Sequence, residues 1–325
     1  MASITLAQGL NEGLRFAMKD DPKVVCLGED VGKLGGVFRI TDKLQEEFGE
    51  WRVIDTPLAE AGIIGTSIGM AIYGMKPVAE MQFDGFTYPA FEQIVSHAAK
   101  YRFRSQGRVN LPMVIRIPYG GGIGAVEHHS ESLEAYFTHT AGLKVVTPAT
   151  PSDAFSMIVQ AIRDPDPVIF LEPKRRYWVR EEADLPITDG LPFGKARVVT
   201  EGTEVTIITW GPSLRTCEEA VAEAASDGVS VELIDVRSLV PLDIDTILAS
   251  VQKTGRAVIV QEAQITGGYA GEIAARIMED GFDSLQAPVL RVGGYDMPYP
   301  PAKLEDIFLP DVDRVLDAVD KVLNY

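Results

Sequence analysis

The regular alternation of short apolar runs with helical patterns restricts the fold of this chain more than any other feature. Residues 24–27, 113–117 and 168–173 are apolar runs rich in Val and Ile, as in strands that are buried on both faces. Pro151, Ser152 and Asp153 precede a helical pattern, since Pro favours the first helical turn and Ser and Asp cap it. This alternation predicts an α/β fold with mostly parallel sheets flanked by helices.

The alternation occurs twice along the chain. It fades near residue 174, where charged residues, Pro and Gly replace the apolar runs, and it resumes at residues 205–210. A chain of 325 residues is long enough to build two hydrophobic cores. We therefore predict an α/β domain at residues 1–180, a linker at 181–195 and a second α/β domain at 196–325.

The charge and cysteine content exclude several classes of partner and site. A net charge of −17 argues against binding to nucleic acid or to an anionic membrane, and no apolar run is long and pure enough to span a bilayer. No signal peptide is evident at the N-terminus. The two cysteines, Cys26 and Cys217, form no metal or redox motif. Buried structural thiols in a reducing cytoplasm are the expected interpretation.

Glu60 is the one charged residue in an otherwise apolar helical segment that follows Pro57. It lies in the predicted first turn, where the helix dipole favours a carboxylate. Ala61, Gly65 and Gly69 recur every four residues, and we expect them to line one side of the helix and allow another backbone to approach closely. Two interpretations remain open: Glu60 caps a packed helix, or it is held at a buried interface to meet a ligand.

A histidine pair follows the glycine-rich residues 120–124, which predict a flexible loop after the strand at 113–117. Ligands of parallel α/β sheets bind at the carboxyl ends of the strands. His128 and His129 are adjacent and cannot point the same way from an extended chain, so one of them is a candidate for chemistry. The alternative is a surface loop with two solvated histidines. Metal binding is disfavoured because no ligand set at the usual spacing accompanies them.

Several longer motifs match a known family in the same order along the chain. The most specific are Leu27-Gly28-Glu29-Asp30-Val31, Gly36-Val37-Phe38-Arg39, Thr56-Pro57-Leu58-Ala59-Glu60-Ala61-Gly62, Phe91-Glu92-Gln93-Ile94 and Gly294-Tyr295-Asp296-Met297-Pro298-Tyr299-Pro300. From about Thr5 to Tyr325 the chain resembles the beta subunit of the thiamine-diphosphate-dependent decarboxylase of 2-oxo acid dehydrogenase complexes. The resemblance implies a pyrimidine-binding domain followed by a transketolase C-terminal-like domain.

The resemblance also implies roles for individual residues. Glu60 would hydrogen-bond a pyrimidine nitrogen of thiamine diphosphate, Phe86 would stack on that ring, and Leu58 would contact the cofactor. His129 matches the active-site histidine because His129-Ser130-Glu131-Ser132 matches the His-Ser-x-Ser pattern of the family, with His128 as its rival. A monovalent cation such as K⁺ would be held, partly through backbone oxygens, near Ala161, Ile162, Asp164 and Asp166.

A missing motif points to a partner chain. Enzymes of this class hold Mg²⁺ and the diphosphate with a Gly-Asp-Gly segment, which this sequence lacks. The resemblance therefore implies an alpha subunit that holds Mg²⁺, in a two-alpha, two-beta heterotetramer.

Residues 181–325 carry 11 Lys and Arg against 26 Asp and Glu. We expect this acidic half to dock on the lipoyl acyltransferase core, through Asp296, Asp311, Asp313, Asp317 and Asp320.

The resemblance predicts a reaction and leaves its substrate open. With its alpha subunit, the chain would decarboxylate a 2-oxo acid and transfer the acyl group to a lipoyl group. The motifs favour branched-chain 2-oxo acids, followed by pyruvate and then acetoin. A hypothesis of a different class is a non-catalytic docking subunit, but the acid at Glu60 and the aromatic ring at Phe86 favour a catalytic role.

Overall fold

A computed structural model of the chain describes residues 2–325 and divides them into two compact units. The first unit contains residues 2–119 and 136–193, and the second contains residues 120–135 and 194–325. Both units are built on a mostly parallel sheet with helices, so the predicted two-domain α/β fold class is confirmed. Within residues 2–325, no helix has the length and apolar character needed to cross a bilayer.

The first unit is organised around a parallel sheet in which β6, β7, β5, β4, β2 and β3 lie side by side in that order. The strands of this unit are β1 (Ala2–Thr5), β2 (Val24–Gly28), β3 (Val53–Asp55), β4 (Lys76–Glu80), β5 (Val114–Tyr119), β6 (Lys144–Val146), β7 (Val168–Pro173) and β8 (Arg180–Ala183). Of these, β1 and β8 lie outside the sheet and pair with each other. Every residue of β2, β5 and β7 is buried, which explains their continuous apolar sequences.

Helices of the first unit pack on this sheet and on each other. They are α1 (Leu6–Asp20), α2 (Leu44–Phe48), α3 (Glu60–Ile72), α4 (Tyr101–Arg104) and α6 (Pro151–Arg163), with α5 (Glu134–Thr138) where the chain passes between the units. Helices α1 and α6 approach so closely that a Cβ on Gly9 would lie 2.5 Å from the carbonyl oxygen of Pro151. Glycine on α1 is therefore required by helix–helix packing.

The spacing of Phe91, Ile94, Val95 and Ala98 predicts one helix over about residues 90–103, but the structure interrupts it. The segment contains a wide helical turn at Gln93–His97, a 3₁₀ turn at Ala98–Lys100 and then α4. The amide of Ala98 donates to the carbonyl oxygens of both Gln93 and Ile94. One extra residue is thus accommodated in the turn, which is a local rearrangement that apolar spacing does not reveal.

The predicted linker at residues 181–195 begins inside a strand. Strand β8 pairs antiparallel with β1, and Arg180 lies opposite Thr5. Leu185, Ile187 and Phe193 then pack against the core of the first unit. The charged sequence Arg180-Glu181-Glu182 conceals this strand, because a two-stranded ribbon needs little apolar burial.

In the second unit, β14, β13, β10, β11 and β9 form a sheet in that order, and only β9 runs antiparallel to its neighbour. The strands of this unit, of which β12 lies outside that sheet, are β9 (Arg197–Thr200), β10 (Val205–Thr209), β11 (Val231–Asp235), β12 (Ser238–Val240), β13 (Ala257–Gln264) and β14 (Leu290–Gly294). Its helices are α7 (Leu214–Ser226), α8 (Ile244–Thr254), α9 (Ala270–Gly281), α10 (Glu305–Phe308) and α11 (Val312–Leu323).

Residues 120–135 belong to the second unit, although the sequence analysis assigned them to the domain at residues 1–180. The amides of Gly121 and Gly122 donate to the carboxylates of Glu262 and Glu305, which follow them by more than 140 residues. Partners so distant in sequence leave no local pattern, so a division of the chain into two consecutive domains does not describe this segment.

Candidate active site

The carboxyl edge of the first sheet gathers acidic and polar side chains from three neighbouring strands. Glu29 directly follows β2, Thr56 directly follows β3, and Glu80 ends β4. Glu60 begins α3 shortly after β3. The residue is only 7% exposed, so Glu60 is held in a buried position at the edge where α/β sheets bind ligands.

Glu29 makes this edge chemically unusual. Glu29 is 7% exposed, and its Oε1 has no hydrogen-bond partner among the described residues. Burial, followed by the nearby charges of Glu60, Asp30 and Glu80, raises the pKa of Glu29 to about 7. The hydroxyl of Thr56 is also buried without a partner in this part of the chain. The edge therefore has unused hydrogen-bonding capacity beside two carboxyl groups, as ligand sites commonly do.

The backbone beside Glu29 is fixed by the carboxylate of Asp55. Its Oδ1 accepts from the amide of Gly32 at 2.6 Å, and its Oδ2 accepts from the amide of Lys33 at 3.2 Å. A Cβ on Gly32 would lie 2.6 Å from Oδ2 of Asp55, so glycine leaves room for this close approach. The turn after β2 is thereby tied to the end of β3.

Phe86 lies on an anchored 3₁₀ turn, Asp84–Ala90, that packs against α3. Its ring is half-buried and meets the ring of Phe83 edge to face, with centroids 6.1 Å apart. Asp84 begins the turn and forms an ion pair with Lys174, and both side chains are completely buried. Removal of either charge would leave the other buried without its ionic partner, so this pair holds the aromatic turn in place.

Below the edge, Arg116 joins three strands through buried charges. Its guanidinium binds Glu172 with two hydrogen bonds, of 2.6 and 2.9 Å, and Glu80 with one of 2.5 Å. The hydroxyl of Tyr177 donates to Glu172 at 2.6 Å. Burial raises the pKa of Glu80, while Arg116 opposes that rise. This network links β4, β5 and β7 directly beneath the candidate site.

Leu58 and the small-residue side of α3 face away from the rest of the chain. Leu58 is 71% exposed, and Ala61 and Gly62 are exposed. A Cβ on Gly69 would meet nothing within 4 Å among residues 2–325. The close backbone approach predicted for this side does not occur within the described chain, although Glu60 lies buried at the same end of the helix.

Gly65-Thr66-Ser67-Ile68-Gly69 matches the Gly-x-Ser-x-Gly pattern of a hydrolase nucleophile, but its setting is different. The segment lies in the middle of α3 rather than on a strand-to-helix turn. The Ser67 hydroxyl donates to the carbonyl oxygen of Ile63 at 2.8 Å. The structure therefore gives Ser67 a helix-internal role and offers no nucleophile elbow at this segment.

The histidine pair lies in the second unit, on a single 3₁₀ turn, Glu127–His129. His129 is half-buried, and its Nδ1 lies 2.6 Å from the carbonyl oxygen of His128. The side chain of His128 is 67% exposed and lies 3.5 Å from Glu127. The first unit thus contains Glu29, Glu60 and Phe86, and the second unit contains both histidines.

Comparison with known proteins identifies the family. The chain matches the model of the transketolase pyrimidine binding domain over residues 2–179 and that of the transketolase C-terminal domain over residues 194–315. It is 54% identical to the pyruvate dehydrogenase E1 component subunit beta of Leifsonia xyli, over 99% of this chain and 96% of that protein. The chain belongs to the family of 2-oxo acid dehydrogenase E1 beta subunits. The family membership predicted from the sequence motifs is confirmed.

Other relatives place this E1 beta chain among proteins named for different substrates. It is 52% identical to the 3-methyl-2-oxobutanoate dehydrogenase subunit beta of Mycobacterium tuberculosis, over 99% of the chain and 92% of that protein. A solved structure entitled "Split gene transketolase, inactive beta4 tetramer" superposes with a TM-score of 0.81 at 24% identity, with 99% of each chain covered. That likeness supports the fold alone.

The residues proposed for a monovalent cation in this E1 beta chain have protein partners. The resemblance implied a site at Ala161, Ile162, Asp164 and Asp166. Lys144 Nζ donates to both carboxylate oxygens of Asp164, at 2.6 and 2.5 Å, and Arg102 binds Asp166 at 2.5 Å. These two carboxylates already bind cationic side chains, so a K⁺ ion there would depend on backbone oxygens, and the cation site stays a prediction.

Both cysteines of the E1 beta chain are buried and free of disulfide bonds. Burial raises the pKa of Cys26 and of Cys217 to about 12. Neither thiol is therefore a nucleophile near neutral pH. The prediction that both are buried structural thiols is confirmed.

Glu134 is a buried carboxyl group that makes folding stability depend on pH. It accepts a hydrogen bond from Trp210 Nε1 at 3.1 Å, and its Oε2 has no partner among the described residues. Burial, with a contribution from the charge of Glu262, raises its pKa from 4.5 to about 7. A carboxyl group whose pKa is higher in the folded than in the unfolded state contributes its full stabilisation at pH values below its unfolded pKa. That contribution is lost as the pH rises through the folded pKa.

We compare the free energy of unfolding of Glu134→Gln with that of wild type. We expect this difference to favour the variant more at pH 8 than at pH 5, by up to about 3 kcal/mol. Gln retains an acceptor for Trp210 and has no charge to desolvate. Urea unfolding followed by tryptophan fluorescence at both pH values measures the difference. Glu127→Gln is the matched control, because Glu127 is a half-exposed carboxylate in the same segment. Parallel pH profiles of wild type and Glu134→Gln would contradict the raised pKa.

Proposed function

We propose that this E1 beta subunit, together with an alpha subunit, decarboxylates a branched-chain 2-oxo acid and transfers the acyl group to a lipoyl acyltransferase. The observation that carries the proposal is the buried pair Glu29 and Glu60 at the carboxyl edge of the sheet, with an unpartnered oxygen on Glu29. The pair fits a nitrogen heterocycle that both donates and accepts hydrogen bonds. The pyrimidine ring of thiamine diphosphate, the cofactor of this family, is such a group.

Glu60 is the residue that we propose holds and moves the proton at the pyrimidine ring nitrogen. It lies at the first position of α3, where the helix dipole stabilises its carboxylate. Its burial strengthens a hydrogen bond to the ring. Glu29 has a pKa near 7, so it retains a proton at neutral pH more readily than an ordinary carboxyl group and lowers the charge of the pair. When bound, thiamine diphosphate supplies the electron sink for decarboxylation.

Phe86 is the ring that we propose stacks on the pyrimidine. Its turn packs against α3, the helix that begins with Glu60. The buried Asp84–Lys174 ion pair fixes the start of the same turn. Stacking and the hydrogen bond to Glu60 would together orient the cofactor, which is the main contribution of a protein to cofactor chemistry.

An alpha subunit is proposed to complete the site and to supply the ligands of Mg²⁺. The chain has no Gly-Asp-Gly segment, and residues 2–325 contain no cluster of three or more His, Cys, Asp or Glu side chains suited to a metal. The exposed side of α3 is the proposed contact surface. Glycines there allow a second backbone to approach closely, and Tyr73 at the end of the helix is 93% exposed.

The substrate proposal rests on the sequence motifs, because overall sequence identity does not discriminate between the candidate 2-oxo acids. Relatives at 54% and 52% identity are named for pyruvate and for 3-methyl-2-oxobutanoate, respectively. The segment Gly35–Arg39 and the motif around His129 favour the branched-chain group. Pyruvate is the second candidate and acetoin the third.

Co-expression with candidate alpha subunits from the same genome tests the proposed function. We expect the purified complex to decarboxylate 3-methyl-2-oxobutanoate faster than pyruvate, with thiamine diphosphate, Mg²⁺ and an artificial electron acceptor. The beta chain alone and the alpha chain alone are the controls, and we expect neither to turn over. Faster turnover of pyruvate would correct the substrate. Activity of the beta chain alone would contradict the shared site, and a complex active on none of the three substrates would favour the docking-subunit hypothesis.

The acidic half is proposed to dock on the acyltransferase through α11. The exposed acids there are Asp311, Asp313, Asp317 and Asp320. Asp296 is less available, because its carboxylate accepts from the amide and hydroxyl of Thr266. Opposite charge on a partner would accelerate association chiefly at low salt. We expect charge reversal at Asp317 and Asp320 to slow association with the acyltransferase in stopped-flow measurements. A salt-independent rate, unchanged by the reversal, would contradict this.

A further inference from the structure

The glycine-rich segment 120–124 is bound by two carboxylates. The amide of Gly121 donates to Glu262 Oε1 at 2.5 Å. The amides of Gly122 and Gly124 donate to the two oxygens of Glu305, at 2.8 and 3.0 Å. All five residues lie in the second unit. Hydrogen bonds to a charged acceptor are stronger than neutral ones, so these three contacts hold the backbone firmly.

Both carboxylates are themselves fixed. Glu305 is the buried first residue of α10, and its Oε1 also accepts from the hydroxyl of Tyr299 at 2.7 Å. Tyr299 packs edge to face on Phe308, with ring centroids 4.9 Å apart. Glu262 lies in β13 and is 2% exposed. The segment is therefore bound to one strand and one packed helix, rather than to mobile side chains.

Steric contacts explain why glycines occupy these positions. Gly120 has a φ of +79°, and a Cβ there would lie 2.6 Å from Glu262 Oε1. A Cβ on Gly121 would lie 1.7 Å from the hydroxyl of Tyr299. The sequence alone predicts a flexible loop at these glycines. The structure shows that they admit the two carboxylates and the tyrosine, so glycine here serves close approach.

The far end of the same segment is also tied, and the histidines lie between the two ends. The amide of Gly120 donates to the carbonyl oxygen of Glu131 at 3.0 Å, which closes the segment on itself. Glu134 is held by Trp210. His129 sits between these ties, with its amide donating to the carbonyl oxygen of Val126 at 3.0 Å. A displacement of the glycine end would therefore be transmitted to the histidine turn.

We propose that Glu262 and Glu305 are positioning residues that hold segment 120–135 in one conformation and thereby fix His129. They act on the backbone rather than on substrate or cofactor. The catalytic part of the inference rests on the proposed function, whereas the ordering of the segment does not. Glu305→Gln would present an amide NH₂ to one of the two glycine N–H groups, so at least one hydrogen bond would be lost.

The first test measures hydrogen–deuterium exchange of the assembled complex, with peptides that cover residues 120–125. We expect exchange to be at least about 10-fold faster in Glu305→Gln and in Glu262→Ala than in wild type, since each change removes an acceptor of a glycine N–H and about 1.4 kcal/mol of lost protection corresponds to tenfold. Asp306→Asn is the matched control, because Asp306 is the exposed neighbour of Glu305 on α10. Exchange no faster than in this control would overturn the proposal, whatever the activity.

The second test is a double-mutant cycle on acyl transfer. If Glu305 acts through His129, Glu305→Gln will lower the rate in the wild-type background and have no further effect in the His129→Ala background. Equal losses in both backgrounds would overturn the proposal, because Glu305 would then act by another route. Failure of the proposed function would instead appear as an inactive wild-type complex, and the exchange measurement would still decide whether the carboxylates order the segment.

Discussion

Glu60→Gln will lower the turnover of the assembled complex by about 10²–10⁴-fold, the range expected when a general acid–base group is removed. Gln keeps the length and one acceptor oxygen of Glu60, but it cannot take up or release a proton. The charge that it removes is buried at the edge of the sheet beside Glu29, so folding should survive and stability should not fall.

The measurement is kcat at saturating 2-oxo acid and thiamine diphosphate, with circular dichroism to verify the fold. Glu50→Gln is the control, because Glu50 is an exposed carboxylate of the same unit. A loss smaller than about threefold in Glu60→Gln would assign Glu60 to helix capping, the other interpretation that the sequence left open.

His129→Ala will slow acyl transfer to the lipoyl group by about 10²-fold. A histidine imidazole is suited to deliver a proton to the dithiolane sulfur, because its ring nitrogens can both donate and accept protons. His129 is half-buried and its ring lies against the carbonyl oxygen of His128, so its orientation is defined. The side chain of His128 is largely solvent-exposed, and we expect His128→Ala to change the rate less than about threefold.

Single-turnover transfer to a free lipoyl domain measures this step separately from decarboxylation, which is followed with an artificial electron acceptor. We expect His129→Ala to impair transfer at least as much as decarboxylation. A larger effect of His128→Ala would assign the proton transfer to His128 instead.

The sheets were predictable because strands buried on both faces leave continuous apolar runs, as in β2, β5 and β7. The ribbon of β1 and β8 was not predicted, because short exposed strands carry no such pattern. The placement of residues 120–135 was not predicted either. It depends on Glu262 and Glu305, whose contacts with the glycines bridge more than 140 residues of sequence.

The site was predicted in part for similar reasons. An isolated carboxyl group in an apolar segment drew attention to Glu60. Glu29 lies within a family motif, and a carboxyl group directly after a buried strand is itself a signal for the functional edge. Arg116 offered a second signal, because an arginine within a buried strand requires buried carboxylates, here Glu80 and Glu172. The competition of Lys144 for Asp164 arises from tertiary packing and was not visible in the sequence.

The central claim is that Glu60 manages the proton that activates the cofactor. Proton–deuterium exchange at the thiazolium carbon of thiamine diphosphate, bound to the assembled complex and followed by quenched-flow NMR, tests it most directly because no substrate is required. We predict that Glu60→Gln will slow this exchange by at least about 10²-fold at full cofactor occupancy, while Glu50→Gln exchanges at the wild-type rate. Exchange at the wild-type rate in Glu60→Gln would contradict the account.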